Sequence, residues 1–196
     1  MIPFVALAST GLPRRDPPGH VVVLALAVAA HDAQGALHSA VWPVRPPDLR
    51  VLGTRAAQQA APFHGIPEAV TRGAEPPAAV LGLLRTYLGA HALESHAFGA
   101  WSVSFVASLL RPAPWGLPIV GPAVMDACAQ RSGRSRIPLH KARILVMDAG
   151  WDEALPERLD LPRDVLAPLD RVERKAVEVA QLARWMRANP DVVLSR

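Results

Sequence analysis

Several things are scarce in this 196-residue chain, and each scarcity excludes a class of protein. The one cysteine, Cys128, cannot close an internal disulfide, which excludes a disulfide-stapled scaffold and fits a reducing compartment. No uninterrupted apolar run reaches the ~20 residues that a membrane span needs, so Val21 to Ala30 reads as a buried strand and no membrane partner is expected. The amino end lacks the basic start, apolar core and small-residue cleavage site of a secretory signal, and a cytoplasmic location is the expectation. The histidines and the cysteine show no Cys-x-x-Cys or His-Glu-x-x-His spacing, and there is no glycine-rich phosphate loop. Lysine is nearly missing too. Lys141 and Lys175 are the only two, so arginine carries the net charge of +4. The planar fork of arginine suits phosphate, which brings nucleic acid forward as a partner; a GC-rich coding bias, visible in twenty prolines and abundant alanine, accounts for the arginine equally well.

What is present is globular: 51% apolar and 19% charged residues, in a length that supports one domain over 1–196. Ile2 to Leu12 predicts a buried strand running into Ser9-Thr10-Gly11-Leu12. Pro13 to Gly19 is a turn by composition, and His20 to His31 a long strand. Asp32 to Gly35 predicts a hairpin loop, with Ala36 to Pro43 as its return. Pro46 to Ala61 shows no clear period. Pro76-Pro77 opens a helix over Ala78 to Leu88, because proline is tolerated in a first turn. Ala92 to His96 reads as a short strand, and Gly99 to Leu110 as a helix with Trp101, Phe105, Val106 and Leu109 on one face. A further strand is expected over Pro118 to Gly121, then helices over Ala123 to Gln130 and Leu139 to Gly150. Between those helices lies the basic loop Arg131-Ser132-Gly133-Arg134-Ser135-Arg136. Trp151 to Leu169 is the least regular stretch, and Asp170 to Ala188 the clearest amphipathic helix, with Val172, Ala176, Val179, Ala180, Leu182, Ala183 and Met186 in its apolar stripe.

Four stretches resemble the motifs of the DEDD (DnaQ-like) 3′→5′ exonucleases, the family of the proofreading subunit of bacterial DNA polymerase III. Thr10, Gly11 and Leu12 match the end of the first motif, Asp-Thr-Glu-Thr-Thr-Gly-Leu, with Ala6 and Ala8 at the places of its two metal-binding acids. Phe63-His64-Gly65-Ile66 is similar to Ile-His-Gly-Ile after the third strand. Ser95-His96 followed by Trp101 to Val106 resembles the second motif, with Ala97 at its asparagine and Ser102 at its aspartate. The helix from Asp170 resembles the closing motif, with Asp170 at the general-base histidine and Lys175 at the fourth acid. A second register over His140-Lys141-Ala142-Arg143 keeps the histidine and puts Leu145 at the acid.

The resemblance implies an α/β, ribonuclease H-like fold: a mixed sheet, antiparallel over its first three strands and then parallel, with helices on both faces. It implies a family chemistry of two Mg or Mn ions, for which Ala6, Ala8, Ser102 and Lys175 are degenerate positions. No catalytic residue, metal ligand or cofactor is therefore expected. The expected function is binding without catalysis. One version grips DNA or RNA ends through Thr10, Gly11, Leu12, His64, Gly65, His96, Arg131, Arg134, Arg136 and Lys175. The alternative is a protein-interaction or structural module with a filled cleft, its partner a replication or repair protein. An active exonuclease would need substitute acids such as Asp16, Asp126 or Asp148.

Overall fold

The computed structural model describes residues 2–12, 15–16, 20–89, 93, 96–150 and 163–194; of 163–168 only the backbone is described. Three strands open the chain: β1 (Phe4–Ser9), β2 (Val23–His31) and β3 (Leu37–Pro43). Each pairs antiparallel with the next. β4 (Gly99–Ala100) lies parallel to β1, which gives a four-stranded sheet in the order β3-β2-β1-β4. The expected mixed sheet is thus present, with β1 at the change of direction.

β2 is buried along nearly its whole length because both faces of the sheet are covered, which is why it reads as a continuous apolar run. One face carries Phe4, Ala6, Ala8, Ala25, Ala27 and Ala29. Against it lie α5 (Val124–Arg131), α6 (Leu139–Asp148) and α7 (Arg163–Ala188). The alanines of the sheet meet Ala176, Ala180 and Ala183 of α7 in one buried cluster. Small side chains on both partners let the helix approach closely, so contact area is gained without bulk. The other face carries Val5, Leu26 and Val28 under α3 (Pro77–Leu88) and α4 (Val103–Leu110), with Trp115, Leu117 and Ile119.

Before α3, the stretch without a clear period folds as a 3-10 turn over Leu49–Gly53 and as α1 (Arg55–His64), followed by α2 (Glu68–Gly73). Thr54 caps α1 by accepting the Ala57 N–H. Pro62 obscures this helix in the sequence, yet it falls in the last turn.

Three expectations are corrected. Gly99 and Ala100 are strand, and the helix begins only at Val103. Trp101 therefore precedes α4 and packs with the α7-side cluster, while Phe105, Val106 and Leu109 pack on the other face. The short strand expected at Ala92 to His96 falls largely on residues outside the described set. Pro118 to Gly121 forms no strand of its own, but it hydrogen-bonds along Phe98, and Ala123 bridges Ala100 in parallel. The irregular stretch is shorter than expected: 151–162 lies outside the described residues, and from Arg163 the chain is already α7 despite Pro168. Among the described residues no helix is long and apolar enough to cross a membrane.

Candidate functional site

The carboxyl ends of β1 and β4 lie side by side, the part of an open sheet where ligands bind when strand direction changes. Period-2 alternation puts Ala6 and Ala8 on one face, opposite Ala27 and Ala25 of β2. Both methyls are buried, 9% and 6% exposed, in the cluster that includes Ile66, Val172 and Ala176. The strand then bulges between Ala8 and Ser9.

Thr10 is fully buried, and its hydroxyl is spent on the fold. It donates to the His20 carbonyl at 2.6 Å and accepts the Val22 N–H at 2.9 Å, tying the start of β2 to the end of β1. The structure therefore removes it from the surface a ligand could touch. Gly11 is constrained by space: a Cβ there would collide with the carboxylate of Asp16, which accepts the Leu12 N–H at 2.7 Å. Leu12 remains 45% exposed at the rim.

Gly65 ends α1 in the left-handed region at φ 67°, a conformation that glycine takes without Cβ strain. The turn aims His64 back at the chain, so its Nδ1 accepts the Ile66 N–H at 3.0 Å. Burial, and then the charge of Lys175, hold the His64 pKa below its usual 6.5. The two residues therefore share one neighbourhood, although 111 positions separate them in the chain. Lys175 itself is exposed on α7. Phe63, just before His64, is 83% exposed, the most exposed large apolar side chain among the described residues.

Ser102 stands at the N-cap of α4, in extended conformation, without capping the helix through its side chain. Its Oγ is 3.5 Å from Ser104 Oγ. It also lines a groove of about 680 Å³ that runs along α4 past Ser104, Ser108 and Arg111 to Asp126. Arg111 donates from there to the Ile119 carbonyl.

A two-metal centre does not fit these residues. At the four positions that the resemblance assigns to acids stand two buried methyls, a neutral hydroxyl and an exposed ammonium, none of which supplies an anionic oxygen. Of the substitute acids, Asp126 lines the same groove as Ser102, while Asp16 is engaged with the Leu12 N–H and Asp148 ends α6. Among the described residues no three of His, Cys, Asp or Glu are placed to share a cation.

Two further expectations are corrected by placement. His96 precedes β4, and because Phe4 pairs with Gly99, it lies at the amino end of the parallel strands, opposite the carboxyl ends that carry Ser9 and Ser102. There it meets Phe98 edge-to-face, with centroids 6.1 Å apart. Arg131 is engaged at the end of α7, where its guanidinium donates to the carbonyls of Asn189 at 2.7 Å and Met186 at 2.9 Å. Met186 is eleven residues beyond Lys175, about 16 Å along a helix. Arg134 and Arg136 are exposed on the same loop. Of the two registers for the closing motif, the second puts His140 at the exposed start of α6, while the first puts Lys175 beside His64. Sequence reading missed Arg171 and Arg174, exposed on the same turn of α7 as Lys175; their i, i+3, i+4 spacing was the available signal.

No family model matches the sequence, and no curated protein matches it. Solved structures do. Exonuclease X in complex with 5′-overhanging duplex DNA aligns with a TM-score of 0.60 at 14% identity, over 98% of this chain and 95% of that one. A full-length 3′-exonuclease aligns with a TM-score of 0.59 at 12% identity; 98% of this chain is covered but only 62% of that one, less than two thirds of its length. The nuclease domain of 3′hExo, a DEDDh family member bound to rAMP, gives a TM-score of 0.54 at 12% identity over 96% and 92% of the two chains. The chain has the DnaQ-like exonuclease fold.

Proposed function

We propose that this protein binds the end of a nucleic-acid strand and does not hydrolyse it. The observation that carries the reading is the burial of the Ala6 and Ala8 methyls in an apolar cluster at the strand positions where paired carboxylates would stand. Two-metal hydrolysis needs anionic ligands holding two cations ~3.5–4 Å apart, one to activate water and one to stabilise the leaving oxygen. A lysine at the fourth position works against such cations, by between about 1 kcal/mol in water and about 4 kcal/mol near a protein surface for each unit of cation charge at 4 Å. The same ammonium attracts phosphate. Solved proteins of this fold are seen with duplex DNA, with rAMP and with single-stranded oligonucleotides, which supports nucleic acid as the ligand class. A protein-docking role is the second reading, and the exposure of Phe63 and Leu12 beside the site favours it.

The test is fluorescence anisotropy with end-labelled single-stranded DNA and RNA, in chelator and in Mn²⁺, followed by gel analysis of the strands. Equal binding in both buffers with strands left intact is the expected result. Shortening in Mn²⁺ that persists through repurification would overturn the non-hydrolytic reading. Absence of binding to either strand would transfer the assignment to protein docking.

A further inference from the structure

The first turns of the described part of α7 carry three cations, Arg171, Arg174 and Lys175, all exposed. At i, i+3 and i+4 they share one side of the helix within about 6 Å of axial rise. Two of the nearby acids are engaged elsewhere. Glu173 accepts the Ser39 hydroxyl at 2.7 Å on the β3 side, and Glu178 is buried against Arg143 at 3.0 Å on the α6 side. Among the described residues no carboxylate forms an ion pair with any of the three. Like charges so close repel and weaken the helix, and a polyanion would relieve that repulsion. Lys175, the last of the three, shares the neighbourhood of His64, whose pKa burial and then this ammonium hold down.

We propose that Arg171, Arg174 and Lys175 form a phosphate seat for consecutive phosphates of a single strand, in place of the charge that metal ions would supply. This rests on the reading of the protein as a nucleic-acid binder and adds where the backbone lies. Arginine at 171 and 174 can grip phosphate oxygens bidentately, while Lys175 acts as a point charge. The three cations cover a short length of backbone, which matches one strand rather than the two backbones of a duplex. The basic loop of Arg134 and Arg136 lies outside this seat.

The experiment measures the salt dependence of binding to a labelled single-stranded oligonucleotide. Each phosphate neutralised contributes about 0.7 to the slope of log K against log salt for a single strand. The variant Arg171→Gln/Arg174→Gln/Lys175→Gln should lose about 2 from that slope. A control of equal charge change, Arg134→Gln/Arg136→Gln/Lys141→Gln, should keep it. If the triple variant does not fold, Arg171→Gln and Arg174→Gln alone should each lose about 0.7. Equal losses in seat and control variants would overturn the seat while leaving nucleic-acid binding intact. A wild-type protein that binds no strand would instead remove the reading beneath it. Tighter binding of blunt duplex than of single strand, with the seat variants equally affected on both, would overturn the single-strand assignment.

Discussion

A methyl and a carboxylate can occupy the same place on a pleated strand, and at Ala6 and Ala8 the surroundings decide between them. Both methyls are buried members of the apolar cluster that also includes Ile66, Val172 and Ala176, so these two positions, which the resemblance assigns to acids, belong to the core. Other residues were legible as a motif but not in role. Thr10 matches the family pattern, yet its hydroxyl is used between His20 and Val22, a pairing that depends on where β2 returns. His64 and Lys175 were each singled out, and only the fold brings them together. That proximity gives a pH prediction. The pKa of His64 is lowered, first by burial and then by Lys175, so the unfolded chain takes up the proton more readily than the folded one. Stability tied to His64 is then full above the usual 6.5 and is lost as pH falls below it toward the folded value. In an NMR titration His64 should titrate below 6.5 in the wild type. In Lys175→Gln its midpoint should move up without reaching the ordinary value, because burial remains. An unmoved midpoint would mean that the ammonium does not act on this ring.

At the scale of elements, legibility followed periodicity. α3 and the long part of α7 were found from apolar spacing, and the β2–β3 hairpin from two strand-like runs on either side of Asp32 to Gly35. α1 was missed because alanine and glutamine give little contrast between faces and Pro62 suggests a break. The start of α4 was misplaced because Gly99 and Ala100 carry no strand signal, and pairing with Phe4 and Val5 decides their conformation. Arg131 shows how an element end can claim a residue that looks functional. Its two hydrogen bonds to α7 carbonyls place a cation at the negative end of the helix. Arg131→Met should therefore cost about 1–3 kcal/mol, since hydrogen bonds to charged groups are worth about that much. For a protein of this size that is on the order of 2–12 °C in Tm. Oligonucleotide affinity should stay near the wild-type value. The opposite pattern, unchanged Tm with weakened binding, would return Arg131 to the nucleic-acid surface.

For the whole molecule, the order of elements determined the architecture and tertiary packing determined the site. Three early strands were foreseeable from the residues, and helices on both faces with a parallel continuation from the resemblance; that Gly99 and Ala100 form the fourth strand was not, and only the strand register places His96 at its amino end. The remaining question is whether this frame can still take a divalent ion, and stability answers it independently of activity. A cation that binds only the folded chain raises stability, by about 2.7 kcal/mol at a hundred times its Kd. Mg²⁺ or Mn²⁺ should leave the wild-type Tm unchanged. Introducing two acids as Ala6→Asp/Ala8→Glu should lower stability by about 2–4 kcal/mol, because both side chains enter a packed apolar cluster and their charges lose water there. With Ser102 and Lys175 still in place, the two carboxylates lack further anionic ligands, so Mn²⁺ should not recover the loss. A wild-type Tm that rises with Mn²⁺ would show that a metal site survives outside the four degenerate positions. Recovery confined to the double variant would show that the cleft remains open to a cation and that Ala6 and Ala8 alone keep it out.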